Sequence, residues 1–314
     1  MVLSMKTAFA PLNFRIASRA MKGVRFRTLC TFVKGYAFHH AHVKRERKKS
    51  QPTPTSMHLE VTTRCIRNCE GCYMLREDKK DGRVMELEIA REAILMGKEA
   101  GINVYTFVGG EPMTLATMPL VLTLVRENPD VIFFCCSNSF AIAKEKKAFA
   151  PLVSMHNMSI GLSIDGFEKT NDSIRGKDAF KTFLDAAEYL KSKRCFFGAV
   201  PTIRQENKEE VTSKKFLYFL ADHGFSFVYY SLMQPSLGEE YRRLAATARN
   251  LPIYLHCNEL GEIGELSPTW RTRIVYVAKE GHFLNDRRER IPIPAHSKGF
   301  SSVSSNENWL KKFR

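Results

Sequence analysis

Three cysteines, Cys65, Cys69 and Cys72, lie within eight residues, in a segment that also holds Asn68, Glu70 and Gly71 and reads as loop. Thiolates are soft ligands suited to iron-sulfur clusters or to zinc. A structural zinc site takes four ligands, usually from two CxxC-like pairs, and the sequence offers no local fourth ligand here. Three thiolates can instead hold three irons of a four-iron, four-sulfur cluster and leave the fourth iron open to an outside ligand. Taken alone, the triplet leaves a cluster, zinc or another metal, and an incidental grouping all open. The other cysteines do not extend it. Eight in 314 residues are too few and too unevenly spaced for a disulfide framework, which points to metal binding in a reducing compartment, the cytoplasm. Cys135 and Cys136 adjoin on an apolar run and face opposite sides of it, and Cys30, Cys195 and Cys257 read as small hydrophobes or incidental residues.

Further segments could carry chemistry. Gly109-Gly110-Glu111-Pro112 combines backbone freedom, a carboxylate and a proline suited to opening a helix. Ser163 and Asp165, in Ser-Ile-Asp-Gly, fall on one face of a strand by alternation, and Arg175 follows in Asp172-Ser-Ile-Arg-Gly176. Asn138 ends another apolar run. Each has an ordinary reading as a turn or a solvated residue. Tyr229 and Tyr230 face opposite sides of a strand, where ordinary packing is the plain reading and lining of a substrate cavity by one of them the alternative.

The elements that must position these residues follow from periodicity. Apolar runs at 57–63, 103–108, 131–137, 158–164, 195–202 and 225–232 read as strands, separated by helical stretches near 85–100, 114–127, 139–150, 178–193 and 207–222, with another near 238–249. Parallel strands need crossover helices, so this alternation predicts an α/β fold, a partial (β/α)6 TIM-like barrel with outer helices. A flat doubly wound sheet is the alternative. KRERKKSQPTPT, at 44–55, passes from a charge run to alternating prolines and marks a linker. The expected organisation is a basic extension and linker at 1–55, a core barrel at 56–250 and a C-terminal extension at 251–314.

The formal charge of +15 belongs to the ends: residues 1–50 carry twelve Lys and Arg against one acid, residues 281–314 seven against three, and the middle is neutral. A neutral core argues against a nucleic-acid partner. The N-terminus reads as a basic, partly helical extension, with targeting or membrane-surface contact as the alternative. No apolar run approaches the roughly 18 residues that span a bilayer.

With these motifs in register, Thr63-Arg64-Cys65 through Cys72-Tyr73 resembles the CxxxCxxC loop of radical S-adenosylmethionine (radical SAM) enzymes, and the similarity extends from about Met57 to Gln234-Pro235. Ile66 and Gly71 depart from the asparagine and the aromatic often found there, whereas Tyr73 matches many members that modify peptides or build cofactors. The resemblance implies a [4Fe-4S] cluster on Cys65, Cys69 and Cys72, with SAM chelating the open iron. It also implies that Gly109, Gly110, Glu111 and Pro112 bind the methionyl amino group, that Ser163, Asp165 and Arg175 contact ribose and carboxylate, and that Asn138 lies at the same rim. Reductive cleavage of SAM to methionine and a 5'-deoxyadenosyl radical, which takes hydrogen from a substrate, is the implied reaction. Its implied partners are a one-electron reductant such as flavodoxin or ferredoxin and a substrate that is a peptide or small molecule rather than RNA. No catalytic side chain is assigned. Rival readings are a non-enzymatic zinc protein and an inactive relative. After Asp286 the chain lacks the glycine- and cysteine-bearing continuation of many relatives, so a truncation or frame change near Asp286 and a loosely attached tail are expected.

Overall fold

Met57, Leu59 and Val61 on one face of the first strand are fully covered, and Glu60 and Thr62 on the other are buried as well. A strand buried on both faces belongs inside a parallel sheet sheathed by helices. The computed structural model describes residues 23–46, 48, 55–72, 74, 84–247, 254–257, 274–277, 283–284 and 290–291. In chain order its elements begin with α1 (Phe26–Glu46), β1 (Ser56–Thr62), α2 (Leu87–Glu99), β2 (Val104–Gly109), α3 (Met118–Glu127) and β3 (Ile132–Ser137). There follow α4 (Phe140–Lys144), α5 (Lys146–Val153), β4 (Met158–Ser163), α6 (Glu168–Arg175), α7 (Ala179–Ser192), β5 (Phe197–Val200) and β6 (Thr202–Ile203). The remainder are α8 (Lys208–Val211), α9 (Lys214–Asp222), β7 (Phe227–Leu232), α10 (Gly238–Thr247), β8 (Tyr254–Cys257), β9 (Ile274–Val277), β10 (Phe283–Leu284) and β11 (Arg290–Ile291).

The chain divides into two units. In the first (residues 31–66, 73–135 and 268–314), β1 pairs in parallel with β2 and β2 with β3, while β9 lies parallel on the other edge of β1 and carries β10 and β11 antiparallel. In the second (residues 1–30, 67–72 and 136–267), β4 pairs with β5 and β5 with β7, and β6 and β8 also join β7, all in parallel. Consecutive parallel strands joined by helices give the α/β class and the strand order of a partial TIM-like barrel, as expected. The doubly wound alternative would reverse the order at a switch point.

Several expected elements are divided. The run at 195–202 becomes β5 and β6 because Pro201 has no N–H to give the ladder, although its carbonyl still accepts from Ser231 at 3.0 Å. The helix near 207–222 breaks at Ser213, whose hydroxyl caps a new start by accepting from the Phe216 N–H at 3.1 Å. That near 139–150 breaks at Glu145, and α6 was not anticipated.

The first core centres on Phe107 and Phe133, stacked at 5.2 Å, beside Tyr105, whose hydroxyl donates to the Ile94 carbonyl at 2.9 Å. In the second, Phe225 packs against Phe183 and Phe197 with centroids 5.0 and 4.8 Å apart. The basic extension is helical over α1 and packs on the fold. The Asn103 amide donates to the Gly35 carbonyl at 2.8 Å, and His42 and Glu46 are buried. No described helix is long and apolar enough to cross a membrane. The expected loose tail after Asp286 lies outside the described residues, apart from the pairing of β11.

Phe107 has no exposed surface, so Phe107→Ala leaves a cavity beneath Phe133. The expected loss is about 3–5 kcal/mol in a denaturant titration.

Candidate functional site

In the first unit, the Gly-Gly-Glu-Pro turn is bonded to the chain that leads into Cys65. The Gly110 N–H donates to the Thr62 carbonyl and the Glu111 N–H to the Arg64 carbonyl, each at 2.8 Å. A side chain on Gly110 would overlap the carbonyls of Thr63 and Arg64, and Gly109 sits at φ 131° against Thr62, so both glycines are required by close backbone approach. Glu111 is buried and its carboxylate accepts from the Met113 N–H at 2.9 Å, which folds the turn back on itself. Pro112 does not open the next helix as expected, since α3 starts at Met118. Its carbonyl instead accepts from the Thr117 hydroxyl at 2.6 Å, and paired threonines, Thr114 and Thr117, hold the intervening turn.

In the second unit, a polar network surrounds Asp165, which is 1% exposed. β4 ends at Ser163, half-buried, so strand alternation stops short of Asp165, and this carboxylate turns toward protein partners. One oxygen accepts from the Thr202 N–H at 2.8 Å, and the other lies 2.8 Å from Arg175 Nε as an ion pair without hydrogen-bond alignment. Asn171 accepts from the Asp165 N–H at 2.9 Å, and the Asn207 amide donates to the carbonyls of Asp165 and Thr202 at 2.9 and 3.0 Å. Both polar ends of Asn207 are used, since its oxygen accepts from the Arg204 N–H at 2.8 Å. Asn138 is half-buried and accepts from the Phe140 N–H at 3.0 Å, and next to it Ser139 holds a left-handed backbone at φ 73°, strained for a residue other than glycine.

The same unit seats the Arg67–Cys72 stretch. The Glu70 N–H donates to the Ile174 carbonyl at 2.9 Å, Arg67 Nη1 to the Arg175 carbonyl at 3.2 Å, and Arg204 Nη2 to the Glu70 carbonyl at 2.6 Å. Arg67, Arg204 and Asn207 escaped the sequence reading. An arginine that binds a main-chain carbonyl has no partner visible in sequence, and only the placement of Asn207 just before α8 hints at a structural role.

Cys65 and Cys69 are half-buried and Cys72 is exposed, and none of these three is in a disulfide. Cys135 and Cys195 are buried, and burial pushes the Cys195 thiol up to about 12, leaving it protonated and inert. Tyr73 lies outside the described residues. Among the described residues no three His, Cys, Asp or Glu side chains form a ready site for a single ion. A four-iron cluster takes each thiolate on a different iron, so its ligands stand around a group instead of converging on a point. Three reduced, accessible thiols in one short loop fit that group.

The family model for the Radical SAM superfamily matches residues 59–217. The chain belongs to the Radical SAM superfamily, a class of enzymes. An uncharacterised protein of Methanocaldococcus jannaschii is 26% identical over 222 residues, 63% of this chain and 72% of that protein. The sporulation killing factor maturation protein SkfB of Bacillus subtilis is 27% identical over 167 residues, 51% of this chain and 38% of SkfB. The crystal structure of Streptococcus suis SuiB bound to precursor peptide SuiA has a TM-score of 0.56 at 13% identity, covering 82% of this chain and 64% of SuiB, and shows the same fold.

Asp165→Asn removes the charge that Arg175 faces while preserving shape. Breaking a buried pair costs about 3–5 kcal/mol, so the expected outcome is a lower denaturation midpoint with unchanged slope.

Proposed function

We propose that the chain carries a [4Fe-4S] cluster on Cys65, Cys69 and Cys72, binds SAM beside it, and modifies a peptide substrate. The observation that carries this reading is the pair of main-chain bonds joining Gly110 and Glu111 to Thr62 and Arg64. A loop that holds a cluster and a turn that holds SAM must keep a fixed separation, and these bonds tie the turn to the root of the loop. When bound, cluster and SAM supply a one-electron cleavage to methionine and a 5'-deoxyadenosyl radical that takes hydrogen from the substrate.

The residues of the chain bind and orient. The turn from Gly109 to Pro112 offers main chain for the methionyl amino group. Arg175, fixed through Nε by Asp165, directs its remaining guanidinium nitrogens toward a carboxylate, and Ser163 and Asn138 line the same strand ends. In this reading Asp165 acts through Arg175, because its own oxygens are engaged by Thr202 and Arg175. Tyr73, next to Cys72 in sequence, belongs to the same proposed cofactor site. A flavodoxin or ferredoxin supplies the electron, and the core spans 56–250 between flanking segments at 1–55 and 251–314. The peptide substrate is supported by SkfB, named for maturation of a killing factor, and by SuiB, solved with a precursor peptide.

Anaerobic reconstitution tests the reading. Cys65→Ala, Cys69→Ala and Cys72→Ala should each lose iron, sulfide and visible absorption, whereas Cys135→Ser and Cys195→Ser keep them. A full cluster surviving Cys69→Ala would overturn the assignment. With the cluster in place, Gly110→Ala and Arg175→Ala should slow reductive formation of 5'-deoxyadenosine by about a hundredfold, since misplacing a bound reactant by about 1 Å costs that much.

A further inference from the structure

Arg204 is 9% exposed, and among the described residues no carboxylate pairs with its guanidinium. Its Nη2 donates to the Glu70 carbonyl at 2.6 Å, and its Nε has no hydrogen-bond partner. The other guanidinium nitrogen lies over Gly71, where a Cβ would stand 3.0 Å from Nη1 and 2.9 Å from the Met233 methyl. Gly71 holds φ 60°, so the turn between Cys69 and Cys72 closes directly on this side chain. A buried cation without a countercharge is costly, and burial is normally accompanied by an anion. In the same unit Arg175, 13% exposed along its side chain, does face a carboxylate, Asp165.

We propose that Arg204 is a positioning residue and the resident countercharge of the cysteine loop, with a thiolate-ligated cluster as the anion that its buried charge faces when the cluster is bound. This rests on the cluster reading above. Three thiolates outweigh the positive charge of an iron-sulfur core, so the loaded loop is anionic, and more so after it accepts an electron. A fixed positive charge beside it stabilises the reduced form and raises the midpoint potential. The bond to the Glu70 carbonyl serves the second role. It holds the Cys69–Cys72 turn in shape before any cluster arrives, together with the Glu70 N–H bond to Ile174. Arginine suits both duties, because its planar fork stays charged and can bind a carbonyl with one arm while presenting the other.

The test uses the full chain as wild type, Arg204→Lys and Arg204→Gln. Without cluster, amide hydrogen exchange at Glu70 and Cys72 should be roughly tenfold faster in Arg204→Gln, as expected for loss of a charge-assisted hydrogen bond. After anaerobic reconstitution to equal iron content, Arg204→Gln should show a more negative midpoint potential than wild type, and Arg204→Lys, which keeps the charge, should recover most of the difference. An unchanged potential in Arg204→Gln overturns the countercharge, and unchanged exchange overturns the positioning role. If instead the wild-type chain takes up no cluster, or Cys69→Ala retains one, the cluster reading is what has failed. The exchange result on the cluster-free chain still stands or falls by itself.

Discussion

Two main-chain hydrogen bonds, from Gly110 to Thr62 and from Glu111 to Arg64, set the constraint that the candidate site depends on. They run between backbone atoms, so side-chain identity enters only by being absent: any residue larger than glycine at Gly110 would drive the strand ends apart. This explains why a tetrapeptide that is an ordinary turn in isolation acquires meaning one strand after a cysteine triplet. Glu111 completes the arrangement by bonding the Met113 N–H, giving the turn a rigid far side.

The polar network of the second unit obeys a different logic. There, buried side chains satisfy backbone groups: Asn207 bridges the end of β4 and the start of β6, and Asp165 receives the Thr202 N–H. Buried polar groups are stable only when bonded, and a network of this kind specifies one arrangement of its loops. The oxygens of Glu210 accept from the Phe167 N–H and from the Thr170 hydroxyl, which extends the same principle to the start of α6. Loops that would otherwise be mobile at the ends of strands are thus fixed from beneath.

Much of this was legible in the sequence. The strands appear because short apolar runs alternate with helical stretches, and the cysteine loop because its ligands are local. What escaped has physical causes. Segment 168–175 looks like a polar turn, and only Asn171 and Ile174 bury themselves to make it a helix. Asp165 and Arg175 were both read as ligand contacts, but their mutual attraction is a tertiary fact that spacing does not disclose. Arg204 reaches Glu70 across 134 positions, and a carbonyl acceptor is offered by every residue, so no pattern marks it. Pro201 was visible, but its effect, two short strands that both remain on β7, depends on a neighbour that tolerates the step.

The helix from Phe26 to Glu46 bears on how the protein should be handled. By composition it belongs to a basic extension ahead of a proline-rich linker, and a shortened version starting after that linker would look natural on paper. By packing it covers the start of β3 in the first unit. Gly35 presses on Ile132 so closely that a methyl group would not fit between them, and its carbonyl answers the Asn103 amide. Trimming there would wet the flank of β3 and leave Asn103 to find water, turning a sealed seam into a sticky edge. The boundary set by charge and the boundary set by close packing are different lines, and the second is the one a crystallographer should cut along.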